Sequence, residues 1–426
     1  MKAVQVYFVN DSSANQNWGS RATSQLLKQQ SLEAGGTLVA SLPLADLNRP
    51  NWQTTPGGHK FYQQTQSLLG RSSFLQKAGS SLLNRAISRL PDPAPANWSQ
   101  FESKAIAVKK GQLLPHIKEA LEHCDMVLIN GEGGILENQR ESRMMLFIAY
   151  LAKTHFNKPV ALVCHTADLS HPTLFEIAEQ VYPLLNDVVF RDPTSFERYG
   201  ALGKTRFAAD VTFALEPAPV ETWTPLAQRR GYFDHYPNES LAFDPAKPFI
   251  CLGGSSSFSP RHQPGSNPQE ALAQLAQSLG ELAQVVLVAS ALPDERILEP
   301  LAKELELPYI PLATAPLQGL DLLANASLYV GGRWHGAIFA LRGGTPVIAF
   351  AAETFKLEAL IGQYDLHPCF SSQDLAGQQD EMVRMSQSYL EQGQSLREKL
   401  KTRSKMFVDS SQEHVSLIRQ LSQHPD

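Results

Sequence analysis

A cation, an aromatic ring and an imidazole stand side by side between glycines in residues 331–336. Arg333, Trp334 and His335 directly follow an apolar run that has the pattern of a strand. Imidazole groups exchange protons near neutral pH, so His335 is a candidate acid or base for proton transfer. The planar guanidinium of Arg333 can bind a carboxylate or a phosphate. The alternative, a structural histidine at the start of a helix, gives no packing reason for an arginine and a histidine together.

A second arginine, Arg191, ends the apolar run 187–190. Its place at the end of a predicted strand makes it another candidate ligand for an anion. A helix that starts at Thr194 or Ser195 would add its N-terminal amides to the same anion. The alternative is an ordinary surface pair between Arg191 and Asp192.

Glycines also follow the apolar run 126–130. Gly131 and Gly133 would let backbone amides approach a ligand, and Glu132 between them offers a carboxylate for proton transfer. The spacing is not that of a dinucleotide-binding loop, because residue 136 is a leucine where that motif has a glycine. A tight turn between a strand and a helix is the alternative to a ligand site.

Weaker candidates follow other predicted strands or stand near a helix start. Those proposed to bind an anion or a sugar hydroxyl are Asn17, Gly254, Ser255 and Lys356. His165 ends another apolar run, where a role facing a cleft and a buried role fit equally well. Asp294 has the position of a helix cap.

The elements that must position these residues alternate between strands and amphipathic helices. Short apolar runs, each followed by a helical pattern, predict parallel sheets covered by helices. The predicted strands are 4–9, 37–42, 126–130, 159–165 and 187–190, then 249–254, 285–290, 326–332 and 346–350. Ligands of such sheets bind beyond the carboxyl ends of the strands, which is where the candidate residues stand.

Breaks in this rhythm divide the chain into two lobes. The predicted fold is α/β, with two Rossmann-like, doubly wound lobes that face a cleft. We predict a first lobe at 1–215, with an inserted cap at 43–105, and a second lobe at 248–370. The proline-rich segment 216–247 would connect the lobes, and 371–426 would be a helical C-terminal segment.

Composition narrows the class of protein. The net charge is -5 and no basic stretch stands out, which argues against a nucleic-acid partner. No apolar run reaches the roughly 20 residues of a membrane span, and the N-terminal run 4–9 alternates like a strand rather than a signal peptide. The four cysteines lack zinc-site spacing and are expected to be free thiols in a reducing cytoplasm.

Four segments, in this order, resemble the polysaccharide pyruvyl transferase family. They are VLINGEGGIL (127–136), the stretch from VVFRDPTSFERYGALG to AADVTFAL (188–215), SLYVGGRWHGAIFALRGGTPVIAF (327–350) and TFKLEALIGQYDL (354–366). The resemblance implies a fold similar to type B glycosyltransferases. It also implies phosphoenolpyruvate as donor, bound by Arg191 and Arg333, and a glycan or lipid-linked sugar as acceptor, with His335 as the catalytic histidine.

Ketal formation from phosphoenolpyruvate agrees with these residue types. His335 would protonate the methylene carbon, Arg333 would neutralise the departing phosphate, and Glu132 would accept a proton from the acceptor hydroxyl. The scheme needs no cofactor and no metal. Two alternatives stay open: a nucleotide-sugar-dependent glycosyltransferase of the same architecture, and a non-catalytic protein that binds a glycan or an anion.

Overall fold

The computed structural model describes residues 3–47, 92–229, 231–233, 243–258 and 268–423. Within these residues, two separate parallel sheets form the centres of two lobes. Most strands are followed by a crossover to a parallel neighbour in the same sheet, and helices fill most of these crossovers and cover the sheets, so the central strands are largely buried.

The first sheet has six strands in the order β2-β1-β3-β4-β5-β6. The strands are β1 (Val4–Asp11), β2 (Gly36–Pro43), β3 (Met126–Leu136), β4 (Val160–Asp168), β5 (Asp187–Phe190) and β6 (Thr205–Phe207). The second sheet has five strands in the order β11-β10-β7-β8-β9. Its strands are β7 (Phe249–Ser255), β8 (Gln284–Val288), β9 (Tyr309–Ile310), β10 (Leu328–Gly332) and β11 (Val347–Ala349).

Helices cover both sheets. Those of the first lobe and the connection are α1 (Trp18–Glu33), α2 (Leu44–Leu47), α3 (Phe101–Lys109), α4 (Pro115–His123), α5 (Arg140–His155), α6 (Pro172–Val181), α7 (Pro193–Tyr199) and α8 (Val220–Ala227). The later helices are α9 (Pro268–Gly280), α10 (Leu292–Leu305), α11 (Pro316–Asn325), α12 (Trp334–Arg342), α13 (Lys356–Gly362), α14 (Gln379–Ser410) and α15 (Ser416–Gln423).

Helix α1 of the first lobe rests on the strand ends of the second lobe. Trp18, its first residue, donates its backbone N–H to the Ser290 carbonyl at 3.1 Å and its indole N–H to the Leu312 carbonyl at 3.0 Å. Arg21 Nη2 donates to the Thr314 carbonyl at 2.7 Å. Since these acceptors follow β8 and β9, the carboxyl ends of both sheets face the same cleft.

The C-terminal helices bridge the lobes. Helix α14 packs on the second lobe and bends at Gly393, whose φ is 50°. Helix α15 then packs on β1 and β2. Before it, the buried His414 donates from Nε2 to the Ala209 carbonyl at 2.8 Å and accepts the Cys164 amide on Nδ1 at 3.2 Å. Burial lowers the pKa of His414 to about 4, so its ring is neutral and fixed in one tautomer.

The predicted fold class is confirmed, although the sequence pattern misses β6 and β9. The proline-rich connection packs on the second lobe, with Trp223 of α8 fully buried against Phe249. Most of the predicted cap, residues 48–91, lies outside the described residues. None of the described helices is both long and apolar enough to cross a membrane.

Candidate active site

A cleft of about 290 Å³ lies between the lobes, where the carboxyl ends of their strands meet. Eight of the candidate residues line it. They are Asn17, Glu132, Gly133, Arg191, Arg333, Trp334, His335 and Lys356. The cleft therefore brings together residues that are up to 339 positions apart in the chain, from Asn17 to Lys356.

Arg191 is held rigidly at the floor of this cleft. It is 3% exposed; its Nε donates to Thr166 Oγ1 at 3.1 Å and its Nη1 to Asp210 Oδ2 at 3.0 Å. Its guanidinium carbon lies 5.1 Å from the centre of the Trp334 ring. Nη2 points towards Gly133, where an added Cβ would lie 3.4 Å from it. The side chain is thus pre-oriented to bind an anion beside that glycine.

The helix after Arg191 does not supply its amides as the sequence suggests. Helix α7 begins at Pro193, and Asp192 is its N-cap, accepting the Ser195 amide at 2.7 Å. The first-turn amide is therefore already satisfied by a side chain. Arg191 also makes no surface pair with Asp192; its partner is the buried Asp210.

Arg333, from the second lobe, is held by a buried carboxylate. Its Nε donates to both oxygens of Asp294, at 3.0 and 3.1 Å, and its Nη2 donates to Oδ1 at 2.8 Å. Asp294 also accepts the amides of Ser290 and Ala291, at 3.2 and 3.1 Å, so the predicted helix cap has a second role. Gly254 makes room for this pair, because a Cβ there would overlap the Asp294 carboxylate.

His335 is the second residue of helix α12 and faces the first lobe. Its Nε2 lies 3.2 Å from Thr23 Oγ1 and 3.5 Å from Asp210 Oδ2. Gly19 packs against the other side of the ring, and a Cβ there would overlap the imidazole. The ring is 13% exposed, which leaves it accessible from the cleft but fixed by residues of the opposite lobe.

Glu132 lies in an irregular part of β3 rather than in a turn. The strand continues to Leu136, with a register shift between Glu132 and Ile135, and Glu132 has φ 47°. Its Oε1 accepts from Ser20 Oγ at 2.5 Å and its Oε2 from Ser12 Oγ at 3.2 Å. A left-handed backbone at a non-glycine residue is costly and is typical of functional sites. Here it places a carboxylate at the edge of the cleft.

Lys356 contributes the third cation of the cleft. Its Nζ would lie 3.7 Å from a Cβ added at Gly133, which places it on the same side as Arg191. Burial, helped by the nearby Arg191, lowers the pKa of Lys356 to about 8. An anion bound there would favour the charged form.

Three of the predicted ligands do not line the cleft. Gly131 packs against His165, and Gly254 packs against Asp294. The hydroxyl of Ser255 donates to the Ala351 carbonyl at 3.0 Å. The next residue, Ser256, does line the cleft. Asn17 lines it too, although its side chain caps α1 by accepting the Ser20 amide at 3.1 Å.

His165 is a buried structural residue. Its Nδ1 donates to the Val189 carbonyl at 3.0 Å, and its Nε2 accepts from the Tyr182 hydroxyl at 3.2 Å. Burial lowers its pKa to about 3, so the ring is neutral. With both nitrogens satisfied inside the first lobe, it has no chemistry to offer in the cleft.

Sequence reasoning missed the roles of two residues that organise the site. Asp210 stands in the family-like segment AADVTFAL, and its place before an apolar run was a usable signal. It is fully buried, and burial would raise its pKa; His335, Arg191 and Thr212 outweigh that effect and hold the pKa well below its ordinary value. Nothing in the sequence pointed to the role of Gly19, because the lack of room for a side chain at this position is visible only beside His335. In the described part of the chain, no group of three acidic, histidine or cysteine residues is arranged to hold a metal.

This arrangement is that of the type B glycosyltransferase architecture, with two Rossmann-like lobes and a site between their strand ends. The model of the polysaccharide pyruvyl transferase family matches residues 71–353. The chain belongs to that family. Comparison with the curated proteins gives no match.

Solved structures with the same fold are only distantly similar in sequence. Arabidopsis thaliana UGT89C1 complexed with UDP-L-rhamnose is 12% identical, with 99% of this chain and 100% of that chain covered and a TM-score of 0.52. The spinosyn rhamnosyltransferase SpnG complexed with thymidine diphosphate is 13% identical, with coverage of 98% and 99% and a TM-score of 0.51. The N-terminal domain of Candida albicans trehalose-6-phosphate phosphatase is 10% identical, with 99% of both chains covered and a TM-score of 0.51. These similarities establish the architecture alone.

Proposed function

We propose that this protein transfers the pyruvyl group of phosphoenolpyruvate to a sugar as a ketal. The acceptor would be a sugar of a cell-surface polysaccharide, such as an exopolysaccharide, or of its lipid-linked precursor, and the reaction would take place in the cytoplasm. The observation that carries the proposal is the convergence of Arg191, Arg333 and Lys356 on one cleft beside His335. Three cations from both lobes suit a small donor that has a carboxylate and a phosphate.

The donor groups divide between the arginines in this scheme. Arg191 and Arg333 each bind one anionic group of phosphoenolpyruvate, and Lys356 adds charge beside Arg191. Gly133 leaves the space next to Arg191 Nη2 open, so the donor can approach the backbone there. Asn17 and Trp334 complete the walls of the cleft.

The reaction balances with two proton carriers. His335 gives a proton to the methylene carbon of the donor, while an acceptor hydroxyl bonds to the adjacent carbon and loses its proton to Glu132. The bond from that carbon to the phosphate oxygen then breaks, Arg333 stabilises the leaving phosphate, and the proton held by Glu132 passes to this phosphate, which restores the carboxylate. A second hydroxyl of the same sugar attacks the carbon, and its proton restores His335. The products are the ketal and inorganic phosphate, and no redox step is involved.

Release of phosphate from phosphoenolpyruvate in the presence of sugar acceptors tests this proposal. We expect turnover in the wild type and loss of turnover in His335→Ala and in Arg333→Ala. Full turnover in both variants would overturn the roles given to these residues. A wild type that binds phosphoenolpyruvate but never turns it over would favour a protein that only binds glycans or anions.

Thermal unfolding with ligands separates pyruvyl transfer from nucleotide-sugar glycosyl transfer. The fold is shared with proteins whose structures contain UDP-L-rhamnose or thymidine diphosphate, so this alternative needs its own test. A ligand at about 100 times its Kd stabilises the folded state by about 2.7 kcal/mol. We expect phosphoenolpyruvate, and neither UDP nor GDP, to raise Tm. The opposite pattern would support the glycosyltransferase.

A further inference from the structure

Asp210 lies where the two lobes meet, and its carboxylate is fully buried. It follows β6 in the first lobe and caps the short 3₁₀ turn Val211–Ala214. Its Oδ1 is used within that turn, accepting from the Thr212 amide at 2.9 Å and from Thr212 Oγ1 at 2.7 Å. The bond from the backbone amide is enough to fix the plane of the carboxylate, which turns Oδ2 towards the cleft.

The second oxygen of Asp210 contacts both lobes at once. Oδ2 accepts from Arg191 Nη1 of the first lobe at 3.0 Å and from the Trp334 indole N–H of the second lobe at 3.0 Å. His335 Nε2, also of the second lobe, lies 3.5 Å from the same oxygen. One atom thus touches an anion-binding arginine, an aromatic wall of the cleft and the proposed general acid.

Opening of the lobes would remove the contacts that orient His335 and the ring that covers Arg191. Arg191 would keep its bonds to Thr166 and Asp210 but would lose the Trp334 ring that covers its guanidinium. His335 would lose Asp210 and also Thr23, because both partners belong to the first lobe. The histidine is therefore held in place only while the lobes are together.

We propose that Asp210 is a positioning residue that joins the two lobes at the active site, so that His335 reaches its working position beside Arg191 only when the cleft is closed. This inference rests on the function proposed above. Asp210 does not contact the donor in this scheme; it acts through Arg191, Trp334 and His335.

Asp210→Asn distinguishes a positioning role from a role in which Asp210 only balances the charge of its neighbours. This substitution removes a negative charge beside three cleft cations, so a residue that only balanced charge would leave kcat intact and bind the anionic donor more tightly. A positioning role instead places the loss in kcat. A displacement of about 1 Å in a reacting group can cost about 100-fold, and we expect a kcat loss of that size with a KM for phosphoenolpyruvate that does not fall.

Thr212→Val is the matched control. It removes the hydroxyl that donates to Oδ1 but leaves the Thr212 amide and all contacts of Oδ2 in place. We expect kcat within a few-fold of the wild type. If Thr212→Val lost as much kcat as Asp210→Asn, Asp210 would act only by stabilising the turn Val211–Ala214, and the inference would be wrong. Wild-type kcat in Asp210→Asn would overturn it equally.

An indole NMR signal tests the same contact without any substrate. The chain has five tryptophans, and the indole resonance that disappears in Trp334→Phe belongs to Trp334. A hydrogen bond to a carboxylate deshields the indole proton, so we expect this resonance downfield in the wild type and moved upfield in Asp210→Asn. An unmoved resonance would overturn the interlobe contact. Because this readout needs no turnover, failure of the proposed function and failure of this inference are distinguishable.

Trp334→Phe tests the same interlobe contact if Asp210→Asn does not fold. Phenylalanine keeps an aromatic face over Arg191 but cannot donate to Asp210 Oδ2. A hydrogen bond to a charged group is worth about tenfold or more in an equilibrium constant, so we expect a kcat loss of about tenfold. Unchanged kcat in Trp334→Phe would contradict the inference.

Discussion

Gly19→Ala is expected to disable catalysis by displacing His335. A Cβ at position 19 would lie 2.6 Å from His335 Cβ and closer still to the imidazole ring. Carbon atoms in contact prefer about 3.5–4.0 Å, so the histidine must move by roughly 1 Å or more. Because the overlap includes His335 Cβ, rotation about χ1 does not relieve it, and α1 and α12 must separate.

The expected size of this effect follows from the geometry of proton transfer. A misplacement of about 1 Å costs about 100-fold in rate, which is about 2.7 kcal/mol in the activation barrier. Helix propensity acts in the other direction, since alanine is favoured over glycine inside a helix by about 1 kcal/mol. Loss of activity in Gly19→Ala can therefore not be assigned to a weaker helix α1.

Phosphate release at saturating phosphoenolpyruvate, together with thermal unfolding, measures this effect. Gly280→Ala is the control, because a Cβ there meets no atom within 4 Å, and it should keep wild-type kcat. In the His335→Gly background, Gly19→Ala should cause no further loss of the residual rate, since both the ring and the Cβ that it would meet are gone. Wild-type kcat in Gly19→Ala, or equal additional losses in both backgrounds, would refute this reasoning.

Three further substitutions test the other walls of the cleft. Glu132→Gln should lower kcat by about 10²- to 10⁴-fold without changing Tm, as expected for loss of a general base; near-normal kcat would exclude that role. Burial and Arg191 lower the pKa of Lys356 to about 8, so this amine is charged below that pH and neutral above it. The KM for phosphoenolpyruvate should therefore rise between pH 7 and 9 in the wild type, and Lys356→Met should remove this rise. A Lys356→Met variant with the pH profile of the wild type would exclude Lys356 from donor binding. Gly254→Ala should raise the same KM, because its Cβ would displace the carboxylate that holds Arg333; a wild-type KM would show that this pairing is dispensable.

The sequence predicted the architecture because the strands of buried parallel sheets are continuous apolar runs. β7 and β10 are both wholly buried, and each was recognisable from its run alone. The strands that escaped prediction are β6 with three residues and β9 with two; β11 also has three, but it lies within the longer apolar run 346–350. A strand of this length carries too few residues to show a period, and only pairing with a neighbour defines it.

The sequence also predicted that Arg191, Arg333 and His335 would meet, because each stands at or just beyond the carboxyl end of a strand. It could not predict what holds them. Asp210 pairs with His335 across 125 positions, and Asp294 pairs with Arg333 across 39. These partners meet through tertiary packing, between the lobes for Asp210 and His335 and within the second lobe for Asp294 and Arg333, and no local sequence pattern indicates it.

The glycine-rich segment of β3 shows what local rules left open. A tight turn was the alternative to a ligand site there, but pairing with β4 continues to Leu136 across a bulge. The bulge gives Glu132 its left-handed backbone and directs its carboxylate towards Ser12 and Ser20. Tertiary pairing overrode the turn propensity of the glycines, and the carboxylate of Glu132 has its position at the cleft from that irregularity.

A crystal structure of the protein with bound phosphoenolpyruvate is the most direct test of the central claim. We expect the donor in the cleft, with one anionic group on Arg191, the other on Arg333, and its methylene carbon facing His335. A donor bound to one arginine alone, or with its methylene carbon turned away from the imidazole, would contradict the account.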